Sequence, residues 1–264
     1  MLQKERFDEI YAILKERNSA TVQLLQKRLY VSEATIRRDL EAMEKAGLIE
    51  RVWGGAMIPS TVEKDIPAFV RSKTNNEKKA KIASIASSLL RDNSSIFIDS
   101  STSCYHLIPY LKNMKQLTVI TSSLRMMQLL LEHTSVSVHL LGGQIFENDI
   151  MTGHVAVASV REYNSDLMFF SCSGIWSDGS ISSIESRVVQ VNREMMQHSA
   201  QRILLCDSSK FGKRLLWHLA DIQDISYIIS NAEPEDPTLC AALGNKLITR
   251  ADQFPEKTEL RTSL

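Results

Sequence analysis

Apolar residues recur at helical spacing in three segments near the start of the chain, and each apolar face lies opposite a charged one. These segments cover residues 3–17, 21–30 and 32–47, with a break at residues 18–19 after the first. Thr21 and Ser32 suit the N-cap positions of the second and third segments, and Gly47 suits the final C-cap. The pattern predicts three helices with a tight turn between the second and the third.

The next segment, LIERVWGGAMI, has β-prone residues on both sides of Gly54 and Gly55. Such a pattern is typical of a small hairpin. Three helices followed by a hairpin are the elements of a winged helix-turn-helix. The sequence therefore predicts a DNA-binding domain over residues 1–58.

The third predicted helix exposes residues whose chemistry suits duplex DNA. Arginine binds guanine through two hydrogen bonds, and threonine reaches a base edge or a phosphate. Basic residues on the second helix and on the first wing strand are placed for phosphate contacts. The expected DNA-binding residues are Thr21, Lys27, Arg28, Ser32, Glu33, Thr35, Arg37, Arg38, Arg51, Trp53, Gly54 and Gly55.

Each of these features has a plainer interpretation when taken alone. A charged helix face is commonly just solvated, and Trp53 equally suits packing beneath the wing. Net charge adds no support, because the chain has 31 basic and 31 acidic residues and residues 1–58 carry ten against nine. The prediction of DNA binding depends on the combination of elements and on where the charges lie.

Residues 59–75 contain two prolines and no sustained period, so we expect an interdomain linker there. Short apolar segments then alternate with helical ones over residues 76–252, and residues 253–264 form a polar tail. The predicted strands are 95–99, 117–121, 137–141, 167–171, 202–206, 227–230 and 246–249. The predicted helices begin near 76 and lie near 103–112, 124–132, 153–162 and 185–200. This alternation predicts an α/β domain with a mostly parallel sheet covered by helices on both faces.

Composition narrows the class of protein. Hydrophobic residues make up 44% of the 264 positions, enough for a substantial core, and no apolar stretch approaches the length of a membrane span. The four cysteines are far apart and form no metal-binding motif. We expect reduced thiols, no cofactor, no metal, no membrane association and a cytoplasmic location.

Small polar residues follow several predicted strands, where an open parallel sheet binds its ligands. Such loops offer donors to a phosphate, and Lys210 adds a cation. Ser and Thr clusters also occur there simply as helix caps, so the pattern alone leaves both interpretations open. The expected effector-binding residues are Asp99, Ser100, Ser101, Thr102, Ser103, Thr121, Ser122, Ser123, Gly142, Gly143, Asp207 and Lys210.

The segment SEATIRRDLEAMEKAGLIERVWGGA resembles the DNA-binding signature of the DeoR family of bacterial regulators. IFIDSSTS, VITSS, LLGG, SGIWSDG and DSSKFG are similar to pieces of that family's sensor domain. The resemblance implies a ribose-5-phosphate-isomerase-like fold and a phosphorylated-sugar effector. It also implies a repressor of a sugar-metabolism operon that binds double-stranded operator DNA as a homo-oligomer.

The chain departs from the family pattern at several positions. Trp53 stands where histidine is common, Ser101 where glycine is usual, Ser122 where asparagine is usual, and Gln190 and Asn192 where an acidic residue and a lysine are usual. A Cβ at position 101 is costly if the loop there needs a positive φ. The departures at the sensor site predict altered or weakened sugar-phosphate recognition.

Two other functions remain open from the sequence. The first is a sugar-phosphate isomerase, which needs a positioned base. Glu185 and Asp178 are the only acidic residues near the relevant loop, and neither belongs to an isomerase-like motif. The second is a ligand-independent DNA-binding oligomer with a degenerate sensor pocket.

Overall fold

The computed structural model describes residues 3–17, 19–45, 48–57, 74–147 and 149–255. Their contacts divide the chain into two compact units, with the boundary between Thr74 and Asn75. The expected cap at Gly47, nearly all of the expected linker and residues 256–264 of the expected tail lie outside the described residues.

The first unit contains three helices and a three-stranded antiparallel sheet. Its elements are α1 (Gln3–Arg17), β1 (Ser19–Thr21), α2 (Val22–Leu29), α3 (Glu33–Lys45), β2 (Glu50–Val52) and β3 (Gly55–Met57). The sheet order is β1-β3-β2, so the β2–β3 hairpin is confirmed as a wing. The first helix ends at Arg17, before the expected break, but the strand that begins at Ser19 and pairs with β3 was not predicted.

A small apolar core joins these three helices. Ile10, Leu14, Leu25, Ile36, Leu40 and Met43 are at most 1% exposed. Close packing also explains Gly55: a Cβ there would clash with the carbonyl group of Ala20 on β1. The glycine therefore lets β3 of the wing pair closely with β1.

The second unit is built on a seven-stranded sheet whose neighbouring strands are all parallel. The strands are β4 (Ser95–Ile98), β5 (Thr118–Thr121), β6 (Ser137–Leu140), β9 (Ser165–Phe170), β12 (Ser199–Leu205), β14 (Tyr227–Ile229) and β15 (Leu247–Ile248). Their order is β15-β14-β12-β9-β4-β5-β6. All seven predicted strands are present, with ends that shift by up to three residues. The residues expected in a strand that lie just outside it are Asp99, Leu117, Leu141, Ser171, Cys206, Ser230, Lys246 and Thr249.

Helices cover both faces of this sheet, as predicted. They are α4 (Asn76–Ala86), α5 (Ile108–Leu111), α6 (Leu124–His133), α7 (Gly153–Val160), α8 (Ser186–Gln197) and α9 (Pro237–Leu243). Ile96 and Ile98 of β4 pack with α4 and α6, whereas Phe97 packs with α7 and α8. Two apolar clusters on opposite faces follow from this alternation. No helix among the described residues has the length and apolar character to cross a membrane.

Several antiparallel elements of the second unit were not predicted. A hairpin joins β7 (Gln144–Phe146) to β8 (Ile150–Thr152), and a small sheet joins β10 (Gly174–Ile175), β11 (Ser180–Ser183) and β13 (Trp217–Asp221). The expected helix at 103–112 is a 3₁₀ turn followed by the short α5. The helix expected over 185–200 ends at Gln197, because Ser199 already begins β12.

Candidate functional site

Two hydroxyl groups cap the helices of the helix-turn-helix. The Thr21 Oγ1 atom accepts a hydrogen bond from the Leu24 amide at 3.2 Å. The Ser32 Oγ atom accepts one from the Thr35 amide at 3.2 Å and lies 2.8 Å from Thr35 Oγ1. Such caps satisfy amide groups that the helix leaves unpaired. Thr21 and Ser32 therefore hold α2 and α3 in place.

Basic side chains on α3 differ in their pairing. Arg37 donates two hydrogen bonds to Glu33 one turn earlier, at 2.7 and 2.9 Å. Arg38 is exposed and forms no ion pair with any described residue, and the same holds for Lys27 and Arg28 on α2. The face thus presents one arginine restrained by a carboxylate beside another that is unrestrained.

The wing presents Arg51 and Trp53. Arg51 lies 3.7 Å from a carboxylate oxygen of Glu44, and its backbone amide donates to the same carboxylate at 3.2 Å. Trp53 is fully exposed, so it does not pack beneath the wing. Gly54 has a φ of +83°, a backbone conformation that favours glycine at this turn.

Asp39, next to Arg38, has a structural contact. It is 1% exposed, and its carboxylate accepts hydrogen bonds from the Arg6 guanidinium at 2.6 and 3.0 Å. The pair raises the pKa of Arg6 through this hydrogen bond. Asp39 therefore ties α3 to α1 and does not face solvent.

Tyr30 is a feature of this unit that sequence reasoning missed. It caps the C-terminus of α2 in the left-handed region, with φ 54° and ψ 40°, and its side chain is 94% exposed. Glycine and asparagine adopt this conformation at lower cost than tyrosine. Helical periodicity carries no signal for such a backbone angle, so the sequence pattern did not reveal it.

In the second unit, the loop after β4 meets the end of β9 and the middle of α8. One Asp99 carboxylate oxygen accepts from the Ser101 amide at 2.9 Å, and the other accepts from the Ser171 amide at 3.0 Å. The Asn192 side-chain amide lies 3.5 Å from the second oxygen. Asp99 therefore fixes the loop and is itself held in the interior.

Two lysine amines lie beside hydroxyl groups of this region. The Lys79 amine on α4 donates to Thr102 Oγ1 at 3.0 Å, and both residues are buried. The Lys210 amine donates to Ser171 Oγ at 2.7 Å and is 3.9 Å from the Asp207 carboxylate. Lys79 on α4 and Lys210 after β12 thus bring two cations to the polar loops at this edge of the sheet.

Asp207 connects the two lysines electrostatically. Burial acts to raise its pKa, but Lys210, hydrogen bonds from Ser209 and the charge of Lys79 together lower it below the usual range. The Asn75 side chain also donates to this carboxylate, at 3.2 Å. The lowered pKa of Asp207 favours its ionised form beside the two cations.

The expected loops after β5 and β6 contribute less to this cluster. Thr121 Oγ1 accepts from the Ser123 amide, and Ser123 Oγ caps α6 through the Met126 amide and bonds Asp149. Gly143 lies tightly against α7, since a Cβ there would clash with the carbonyl group of Thr152. These loops pack against α6 and α7, and the hydroxyl groups of Thr121 and Ser123 are engaged in hydrogen bonds there.

The other expected loop residues and the positions that depart from the family pattern differ in burial. Ser100 and Ser103 are buried, and Ser103 Oγ has no hydrogen-bond partner among the described residues. Ser101 does not have a positive φ, so its Cβ causes no backbone strain. Ser122 is buried at the end of β5, Gln190 is exposed, and Asn192 is buried beside Asp99.

Family models match both units of the chain. The DeoR-like helix-turn-helix domain matches residues 6–62, and the DeoR C-terminal sensor domain matches residues 74–232. The chain belongs to the DeoR family. The sensor-domain match includes Lys79, Asp99, Asp207 and Lys210, and the helix-turn-helix match includes all of α2, α3 and the wing.

Curated relatives of this DeoR-family chain are regulators. It is 31% identical to the HTH-type transcriptional repressor GlcR of Bacillus subtilis over 96% of this chain and 99% of that one. It is 28% identical to the glycerol-3-phosphate regulon repressor of Escherichia coli over 89% and 93%. Ribose 5-phosphate isomerase A of Methanocaldococcus jannaschii matches with a TM-score of 0.40 and 16% identity, covering 52% and 55%. That likeness supports no argument about activity.

Sequence reasoning missed Lys79 and Ser171. Lys79 shares the buried face of α4 with Ile82, Ala83 and Ala86, so a lysine on an apolar helical face was the available signal. Ser171 was predicted as the last residue of the strand 167–171, and no binding role was expected for it. Both residues lie at the amine–hydroxyl contacts that define the cluster.

Proposed function

We propose that this DeoR-family protein is a cytoplasmic transcriptional repressor of a sugar-metabolism operon. It binds double-stranded operator DNA through α3 and the wing as a homo-oligomer, and a phosphorylated sugar bound in its second unit modulates that binding. It has no enzymatic activity. The names of its repressor relatives support regulation, and the glycerol-3-phosphate regulon repressor supports a phosphorylated effector.

The DNA-binding surface lies on the exposed N-terminal half of α3. The capped start of this helix presents Thr35, Arg37 and Arg38, and such positions contact base edges and flanking phosphates in helix-turn-helix proteins. Glu33 restrains Arg37 until a phosphate or base replaces it. Lys27, Arg28, Arg51 and Trp53 flank this face and supply backbone and wing contacts.

Operator binding tests this interface directly. A selected operator and random DNA of equal length are titrated with wild type, Arg38→Ala and Arg17→Ala at several salt concentrations. Arg17 is an exposed arginine at the end of α1, outside the proposed interface, and serves as the matched control. Arg38→Ala should weaken operator binding by about 1–3 kcal/mol if it reads a base. Equal affinity for wild type and Arg38→Ala would refute the assignment.

The effector site is supported by the two lysine–hydroxyl contacts. Lys79 with Thr102 and Lys210 with Ser171 place two cations at the carboxyl edge of a parallel sheet, where ligands bind in open sheets. Asp207 lies beside Lys210 and orients that amine. A dianionic phosphate matches the pair of cations, and neighbouring hydroxyl groups suit a sugar.

Thermal shift with a panel of sugar phosphates tests the effector site. Glycerol 3-phosphate, ribose 5-phosphate and hexose 6-phosphates are compared with inorganic phosphate and the parent sugars. A bound ligand at a hundredfold excess over Kd stabilises the folded state by about 2.7 kcal/mol. Lys210→Met should abolish the shift, and Lys112→Met, an exposed lysine after α5, should retain it. Cooperative operator binding without any shift would favour a ligand-independent regulator.

Asp178 and Glu185, the candidate bases of the alternative isomerase function, support a regulator without catalysis. Hydrogen bonds from Ser180 lower the pKa of Asp178, which is also paired with Arg214 at 3.5 Å. Glu185 caps α8 through the Arg187 amide at 3.0 Å. Neither arrangement is that of a general base working near neutral pH. Sustained conversion of ribose 5-phosphate to ribulose 5-phosphate would contradict the proposal.

A further inference from the structure

Two buried cysteines, Cys172 and Cys206, follow the neighbouring parallel strands β9 and β12. Leu204 of β12 lies opposite Phe170 of β9, so continuing the register by two residues places Cys206 opposite Cys172. Neighbouring strands are about 4.8 Å apart. Disulfides join Cα atoms about 4.4–6.8 Å apart, and this spacing falls within that range.

A contact beyond the ladder shows that the two chain segments stay adjacent for one further residue. Ser171 Oγ donates to the Leu205 carbonyl group at 2.5 Å. Cys172 and Cys206 also belong to the same apolar cluster. Their side chains therefore lie on the same face of the sheet.

The two thiols have different electrostatic surroundings. A hydrogen bond from Cys206 lowers the pKa of Cys172, against the effect of burial and with help from Lys210. Burial raises the pKa of Cys206. Cys172 is thus the better nucleophile of the two, while Cys206 keeps its proton. Cys104 is equally buried, and burial together with Asp99 raises its pKa, so it is an internal control.

We propose that Cys172 and Cys206 form a dithiol site that hydrogen peroxide oxidises to an intramolecular disulfide. The Cys172 thiolate attacks one peroxide oxygen, the O–O bond breaks, and a sulfenic acid forms while the released hydroxide takes up the thiol proton as water. The Cys206 sulfur then attacks the sulfenic sulfur, and the departing hydroxide leaves with the Cys206 proton as a second water. Two thiols and one peroxide give one disulfide and two waters.

This site is independent of effector recognition. It needs only the register of β9 and β12 and the proximity of Lys210, and none of its steps uses a sugar phosphate. Failure of the effector assays would therefore leave it intact. Conversely, absence of the disulfide would leave the proposed regulatory function untouched.

Peptide mapping of the intact protein tests the proposal. The reduced full chain is exposed to hydrogen peroxide, alkylated, digested without reductant and analysed by mass spectrometry. We expect a crosslinked peptide pair containing Cys172 and Cys206, about 2 Da lighter than the sum of its thiol forms and released by dithiothreitol. Cys104→Ser should form the same crosslink, and Cys206→Ser should accumulate a sulfenic acid at Cys172 that dimedone traps.

Two results would overturn the assignment. One is a wild-type protein whose Cys172 and Cys206 both remain alkylatable after peroxide treatment while its fold is unchanged. The other is a crosslink that instead involves Cys104 or Cys240. Because the wild-type map decides the question, the proposal does not depend on whether any serine variant folds.

Discussion

Replacing Asp39 with asparagine separates a structural role from a DNA-contacting role within the Arg-Arg-Asp block. Asp39 is 1% exposed and accepts two hydrogen bonds from Arg6, whereas the two arginines before it on α3 are exposed. The substitution keeps the size of the side chain and removes its charge. The hydrogen bonds donated by Arg6 then lose their anionic acceptor where α1 meets α3.

The expected cost follows from the burial of the pair. Removing one partner of a buried ion pair typically costs about 3–5 kcal/mol. The Arg6 side chain is 14% exposed, so water can hydrate part of the guanidinium group in the variant. We therefore expect the first unit to lose about 2–4 kcal/mol of stability. The equivalent substitution Glu33→Gln, on the same helix but at an exposed pair, should cost about 0.5 kcal/mol or less.

Amide hydrogen exchange of the full chain measures this difference locally. In Asp39→Asn, exchange from peptides covering α1 and α3 should accelerate by about 30-fold to 1,000-fold, since 1.4 kcal/mol corresponds to a factor of ten. Peptides of the second unit should be unchanged. Unaltered exchange in α3, combined with lost operator binding, would refute the structural role and place Asp39 at the DNA.

Three further substitutions give independent tests. Glu33→Gln frees Arg37 and removes a negative charge from the DNA face. Affinity for random DNA should therefore rise by about 0.5–1 kcal/mol in titrations at low salt. Unchanged affinity would show that the ion pair of Glu33 and Arg37 does not compete with DNA. Tyr30→Asn should stabilise the first unit by about 0.5–1 kcal/mol, because asparagine tolerates the left-handed conformation. Hydrogen exchange measures this gain. No gain would mean that contacts of the tyrosine ring offset the backbone strain. Asp207→Asn should lower the free energy of unfolding above about pH 4. The difference from wild type should shrink on acidification, because a carboxylate whose pKa is lowered in the folded state contributes stability that is lost as the pH falls through that pKa. Urea unfolding that shows the same difference at every pH would contradict this.

Elements with a helical period, or with an apolar run between helical segments, were predictable from the sequence. The helix at residues 3–17 has the predicted bounds, and each of the seven parallel strands was expected within a few residues. β1 was not expected, because Ser-Ala-Thr forms no apolar run and its partner β3 lies more than thirty residues away. The β7–β8 hairpin and the two-residue β10 lie outside the alternation of parallel strands and helices, so that alternation did not indicate them.

The candidate effector site was predictable only in part. Asp99, Thr102, Asp207 and Lys210 follow strands and carry obvious polar chemistry, and the structure brings the loops that hold them into one cluster. The loops after β5 and β6 have the same composition, yet their polar groups serve α6 and α7. Residue type does not distinguish a ligand-facing hydroxyl from a helix cap; only the position of its partners does.

Adjacent residues of α3 have different proposed roles: Asp39 stabilises the fold and Arg38 contacts DNA. The salt dependence of DNA affinity separates these two roles. Asp39 faces the core with Ile36 and Leu40, while Arg38 is exposed about 100° around the helix. A loosened α3 in Asp39→Asn lowers affinity by reducing the folded fraction, but the number of phosphates contacted by the folded form is unchanged. Loss of a phosphate contact in Arg38→Ala instead reduces the slope of log affinity against log salt by about 1. A wild-type slope in Asp39→Asn beside a reduced slope in Arg38→Ala would assign one residue to the scaffold and the other to DNA.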